Sequence, residues 1–269
     1  MKRSACLILC CLLLLDAMSQ QDSVFGRLRT ISGDIRAFTV DNLDNLYLLN
    51  SSNQLKKLNS NGDSAAIFND VKKYGQATLV DVSNPLKVLL YYRDFATIVV
   101  LDRFFNVRNT IDLRRSDILQ VRAVGQSYDN KIWLYDEMAN RLRKIDEEGK
   151  ILLETPDFRQ LFTRAPAPQK IFDQDQLLYL YDSAQGVFVF DYYGALKNKI
   201  QITGWENVKV TGKFIYGSKG NVLYRYDIRT FRLDEFSLPE ALKGSRAFNF
   251  TGSRLYALKQ DTIEIYTFQ

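Results

Sequence analysis

From Leu46 onward the chain alternates short apolar runs with short polar breaks, and the runs come in sets. The stretch from Lys131 to Thr155 shows the plan: Ile132-Trp133-Leu134-Tyr135, a break at Asp136-Glu137, then Arg141 to Ile145, a break at Asp146-Glu147-Glu148-Gly149, and Ile151-Leu152-Leu153. Runs rich in β-branched, aromatic and leucine residues, bounded by Asp, Asn and Gly, predict antiparallel strands joined by tight turns. A lone meander of this kind leaves two apolar faces open, and copies of itself stacked face to face cover them.

The copies are present. Tyr47, Leu89, Trp133, Tyr179, Ile215 and Tyr256 hold equivalent positions and recur about every 42 residues. Ahead of each lies one further strand-like segment, at 37–40, 78–82, 121–124, 170–172, 208–210 and 247–250. Four short strands per unit at this period predict propeller blades. The expected fold is therefore all-β, a six-bladed β-propeller with four-stranded antiparallel blades. The sixth unit lacks a last strand, and a bare edge there would leave backbone donors and acceptors unpaired. Residues 25–31 belong to no meander, so they are expected to close that blade as an N-terminal strand.

Asn45 to Gly62, Lys131 to Gly149 and Leu177 to Gly194 share an aromatic-rich strand, an Asp or Asn turn, a second strand ending in Asp or Asn, and a Gly turn. This pattern resembles the blades of NHL-type or gluconolactonase-like propellers, and the chain is similar to exported bacterial propeller proteins of unassigned function. The second and fifth units depart from it by lacking the Gly turn. The resemblance implies a six-bladed propeller and leaves the activity open.

Met1-Lys2-Arg3, the apolar run from Cys6 to Leu15, and Ala17-Met18-Ser19 have the layout of a secretory signal peptide. Residues 1–19 are expected to be cleaved, leaving 20–269 as one propeller domain that is exported to the periplasm, the outer envelope or the medium. The apolar run falls short of the roughly 20 residues that span a bilayer, so no transmembrane span is expected after cleavage. Cys6, Cys10 and Cys11 are the only cysteines, so a cleaved chain holds no thiol and must stand on packing and sheet hydrogen bonds alone.

Chemistry is narrowed by what is missing. The chain has no histidine, which removes Ser-His-Asp and Cys-His hydrolysis, His-ligated zinc and imidazole acid–base work. No Gly-rich phosphate loop occurs. The net charge of +5 is spread with both signs interspersed, and nucleic acid is not an expected partner. Asp41, Asp44, Asp81, Asp129, Asp173 and Asp175 recur just ahead of the second strands. They are expected to bond their own backbone in turns rather than to gather a calcium ion, and no cofactor or metal is expected.

In a propeller the loops between second and third strands share one face with the connections entering the next blade. Here that face carries Arg93, Asp94, Asp136, Glu137, Asp182, Trp205, Lys219, Arg246 and Lys259 as candidate binding residues. Their mixed signs suit a polar ligand or another protein better than a polyanion, which needs a one-signed groove. The expected function is that of a monomeric, non-catalytic binding or scaffold module. The alternative is a metal-dependent lactonase or lyase of the gluconolactonase-like type, which needs Glu, Asn and Asp converging around the central channel. The longest connection, Pro156 to Pro168, is expected to pack its apolar residues as a cap on the ring. Asn50-Ser51-Ser52 and Asn249-Phe250-Thr251 match the glycosylation pattern.

Overall fold

Phe25 to Phe268 are the residues described by the structure, a computed structural model. They form six four-stranded antiparallel sheets. Five of these are continuous meanders, over 37–68, 79–112, 121–154, 170–200 and 206–237. The sixth takes Ala247–Phe250, Arg254–Lys259 and Thr262–Phe268 from the end of the chain, and its outermost strand is Phe25–Ser32 from the beginning. The six-bladed propeller and its N-terminal closing strand are thus both present. The stretch read as a signal peptide lies outside the described residues.

Burial follows position within each blade. The middle strands are covered on both sides because every sheet is sandwiched between two others: Leu46–Leu49 and Lys87–Tyr92 are buried along their whole length. Outer strands face solvent, and Leu196–Ile200 is exposed everywhere but its last residue. This is why the middle strands read as unbroken apolar runs and the outer ones as polar alternations.

The ring closes by packing. Six clusters of buried side chains fill the six wedges between neighbouring blades. Trp133, Tyr135, Phe188 and Phe190 lie between blades 3 and 4, while Ile35, Leu46, Tyr256 and Ile263 join blade 6 to blade 1. Each fully buried side chain of this size contributes about 1.5–3 kcal/mol. Near the axis the inner strands approach to backbone contact: a Cβ on Gly125 would stand 2.8 Å from the carbonyl oxygen of Ile171 in the next blade.

Three of the recurrent aspartates do more than stabilise turns. Inner strand Leu79–Asn84 carries Asp81, as its expected span did, and Lys170–Gln174 runs past its expected end to take in Asp173. Asp81 Oδ2 accepts the Gln126 N–H from the next blade at 2.9 Å. Asp173 Oδ2 accepts from Ser127 Oγ at 3.0 Å and from the Tyr128 N–H at 3.3 Å. Across the closing wedge, Asp44 Oδ1 accepts from Thr251 Oγ1 at 2.9 Å and Tyr256 Oη at 2.6 Å. These carboxylates therefore pin blade to blade as well as turn to strand.

Candidate functional site

The turns joining first to second and third to fourth strands all emerge on one face, here called the turn-tip face. Their shape comes from one local device. Asp102 Oδ1 accepts the N–H groups of Phe104 and Asn106 at 2.8 and 2.9 Å, and Asp191 Oδ1 accepts those of Tyr193 and Ala195 at 3.0 and 2.9 Å. Asp41 Oδ1 holds the Leu43 and Asn45 N–H groups at 2.8 and 3.0 Å, and Asn84 Oδ1 holds that of Leu86 at 3.0 Å. An Asp or Asn that bonds the backbone two residues on fixes that residue at the apex of the turn.

Four of these apex residues, Leu43, Leu86, Phe104 and Tyr193, are apolar where solvation alone would favour polar ones, while Asn61, Glu148 and Arg229 hold the same place in other turns. Leu43, Leu86, Phe104, Tyr128, Tyr193 and Phe231 are 59–88% exposed, and all six stand on this face. Tyr128 stacks on Tyr192 at 5.0 Å, and the Tyr192 hydroxyl donates to Asp173 Oδ1 at 2.5 Å. Burial, that hydrogen bond and the carboxylate's charge push the Tyr192 phenol well above its ordinary range, so it stays protonated. Charges between the tips are largely paired, as in Lys144–Asp129 at 2.7 Å, Arg254–Asp44 at 3.2 Å and Lys213–Asp227 at 3.2 Å. The Arg103 guanidinium lies 4.5 Å over the Phe104 ring.

Along the axis runs a channel of about 300 Å³ lined by the inner strands. Its charged lining residues are Asp41, Asp81, Asp173, Lys170 and Lys209. Among the described residues no three His, Cys, Asp or Glu side chains gather so as to hold a metal ion. Lys170 reaches water within the channel yet is hemmed in by protein. Desolvation first, and the neighbouring Lys209 charge second, lower its pKa to about 8, with Asp81 opposing them. Lys209 is lowered too, by desolvation against the pull of Asp81 and Asp41.

The consequence for stability has a definite sign. Between pH 8 and the ordinary lysine value of 10.5, the unfolded chain keeps a proton that folded Lys170 has released, so stability rises with pH across that window. Lys170→Met is expected to raise the melting temperature near pH 7 by a few degrees in buffer free of multivalent anions, and the gain should shrink toward pH 10.5. Equal melting of both proteins at neutral pH would refute a strained ammonium.

The candidate residues of the opposite face divide by what they touch. Asp136 is buried, accepts the Met138 and Ala139 N–H groups at 3.0 Å and pairs with Arg143 at 3.0 Å. Asp182 is buried and accepts from Ala184 and Ala167 N–H at 2.8 and 2.9 Å. Trp205 stacks on Tyr224 at 4.8 Å and covers Gly217, where a Cβ would meet its ring at 2.6 Å. Glu137 pairs with Arg122 at 2.5 Å. Arg246 donates to the carbonyls of Ile35 and Gln260, bridging the ring closure. Lys259 donates to the Ala241 carbonyl at 3.4 Å. Arg93, Asp94 and Lys219 are exposed, with side chains in no hydrogen bond or ion pair. The sequence reading did not single out the turn tips. For Leu43, Leu86, Phe104 and Tyr193 the signal was present as an apolar residue two positions after an Asp or Asn, and Tyr128 and Phe231 carry no such mark.

No protein-family model and no curated protein matches the chain. Solved structures do. A catalytically inactive virginiamycin B lyase from Staphylococcus aureus, in which a histidine is replaced by alanine, solved with quinupristin, is 16% identical over 90% of this chain and 89% of that one, with a TM-score of 0.60. A streptogramin B lyase is 16% identical over 86% of this chain and 78% of that one, with a TM-score of 0.59. The WD40 domain of Neurospora crassa Pan2 is 10% identical over 91% and 95%, with a TM-score of 0.64. What these share with the present chain is the propeller fold.

Proposed function

We propose that this chain is an exported, non-catalytic propeller that binds another protein through its turn-tip face. The observation that carries this reading is the set of six exposed apolar side chains, four of them fixed at turn apices by Asp or Asn hydrogen bonds. Apolar side chains gathered on one face of a soluble domain mark an interaction surface. Holding them rigidly lowers the ordering cost that binding would otherwise carry. Aromatic anchors among paired charges suit a protein surface, whereas a polyanion would need unpaired cations.

A lyase reading has less beneath it. The neighbouring virginiamycin B lyase is described as inactive when a histidine becomes alanine, and the present chain contains no histidine. The channel carboxylates are also engaged in structural hydrogen bonds.

The test compares the two faces. A chain beginning at Gln20 is used to capture partners from its native envelope or secretome, beside a Phe104→Ser/Tyr193→Ser/Phe231→Ser variant and an Arg93→Ala/Lys219→Ala variant. The triple variant is expected to lose its co-purifying protein at least about tenfold, since exposed aromatic anchors are typical binding hot spots. The double variant should retain it. Exposed substitutions shift stability by about 0.5 kcal/mol or less each, which melting curves will check. Loss in the double variant alone would move the site to the other face.

A further inference from the structure

The axial channel, apart from the turn-tip face, carries chemistry of its own. We propose that it is a binding site for a small hydroxyl-bearing oxyanion, a phosphate or hydroxycarboxylate, held between the ammonium groups of Lys170 and Lys209.

The cavity's size sets the class of ligand. At about 300 Å³ it sits at the lower end of small-molecule pockets and is too small for a peptide loop. The hydrogen-bond accounting sets the sign. Asp41 Oδ1 already takes the Leu43 and Asn45 N–H groups, and its Oδ2 takes Asn45 Nδ2 and the Tyr47 hydroxyl. Asp81 takes the Ser83 and Gln126 N–H groups, and Asp173 takes Tyr192, Ser127 and Tyr128. These carboxylates balance charge from their places in the wall, with their oxygens engaged.

The lysines are not used up in this way. Lys170 Nζ spends one donor on the Val208 carbonyl, at 3.2 Å, and Lys209 Nζ makes no hydrogen bond or ion pair. An ammonium has three donors, so most of the donor capacity of the pair is unspent. The Lys209 charge bears on Lys170 more strongly than the Asp81 carboxylate offsets it, and an oxyanion between the two ammonium groups relieves that repulsion. Gln126 adds the last requirement. It lines the same channel, is 95% buried by its 5% exposure, and its Oε1 has no partner. A turn of the Gln126 amide into the channel lets a ligand hydroxyl, or the P–OH of a phosphate, supply the missing donor.

Calorimetric titration of the chain beginning at Gln20 tests this with two probes, inorganic phosphate and citrate, each against the unaltered protein, Lys170→Gln and Lys209→Gln. At least one probe is expected to bind at one site, and each substitution should weaken it about tenfold or more, the loss of one charge-assisted contact. Phosphate alone or citrate alone binding identifies which chemistry fits. If neither probe binds the unaltered chain, or if both Gln variants bind as tightly as it does, the proposal is overturned. Melting curves establish that each variant is folded, and either folded variant suffices for the comparison.

Discussion

Starting the chain at Gly33 instead of Gln20 is expected to lower the melting temperature by about 10 °C or more, or to abolish cooperative unfolding. The strand removed, Phe25–Ser32, pairs along Thr262–Phe268 from Phe25↔Phe268 to Ser32↔Thr262. Without it the edge of blade 6 is bare, and several ladder hydrogen bonds are lost, each worth about 1 kcal/mol net. Apolar contacts go as well. The Phe25 ring stacks on Phe268 at 5.4 Å, and Ile31 packs into the wedge between blades 6 and 1. Arg29 also crosses to blade 1, where Nη2 donates to the Ser60 carbonyl at 2.9 Å. For a domain of this size about 2–4 °C accompanies each kcal/mol, so even a loss of about 4 kcal/mol is plainly measurable by circular dichroism. Unchanged melting would mean the ring is held shut by its wedges alone.

That closing strand was legible in the sequence because it follows from counting: six anchors, one strand missing, one strand spare. The blades were legible for a related reason, since a period of about 42 residues is a property of the chain itself. Lateral neighbours are not. Asp81 and Gln126 are 45 positions apart, and Asp44 and Tyr256 are 212 apart. Nothing local distinguishes an aspartate that bonds its own turn from one that also reaches across a wedge. The same blindness affects the candidate face. Asp136 and Asp182 read as polar loop residues, yet both are buried under loops that only three dimensions bring over them. Lys170 and Lys209 sit on polar-alternating inner strands that look like solvated edges until the ring folds them inward.

Phe158→Ala is expected to destabilise the protein by about 3–5 kcal/mol, the usual cost of emptying a large aromatic site in a packed core. Phe158 belongs to the longest connection, between blades 3 and 4, which could equally have been an exposed functional loop. The chain there forms a single helical turn, Phe158–Leu161, begun by Asp157, whose side chain accepts the Arg159 N–H at 2.9 Å. The turn drives Phe158 to full burial, 5.3 Å from the Phe190 ring and nearly parallel to it, with Tyr135 at 6.0 Å. Phe162 closes the cluster edge-on at 5.4 Å. Two aromatics from the connector, Phe158 and Phe162, thus fill the wedge that Trp133 and Phe188 begin, so the loop acts as a wedge-filling plug. Leu161→Ser, exposed on the same turn, is expected to shift stability by about 0.5 kcal/mol or less. Similar losses from both substitutions in chemical denaturation would show that the whole connector, rather than one buried ring, carries the contact.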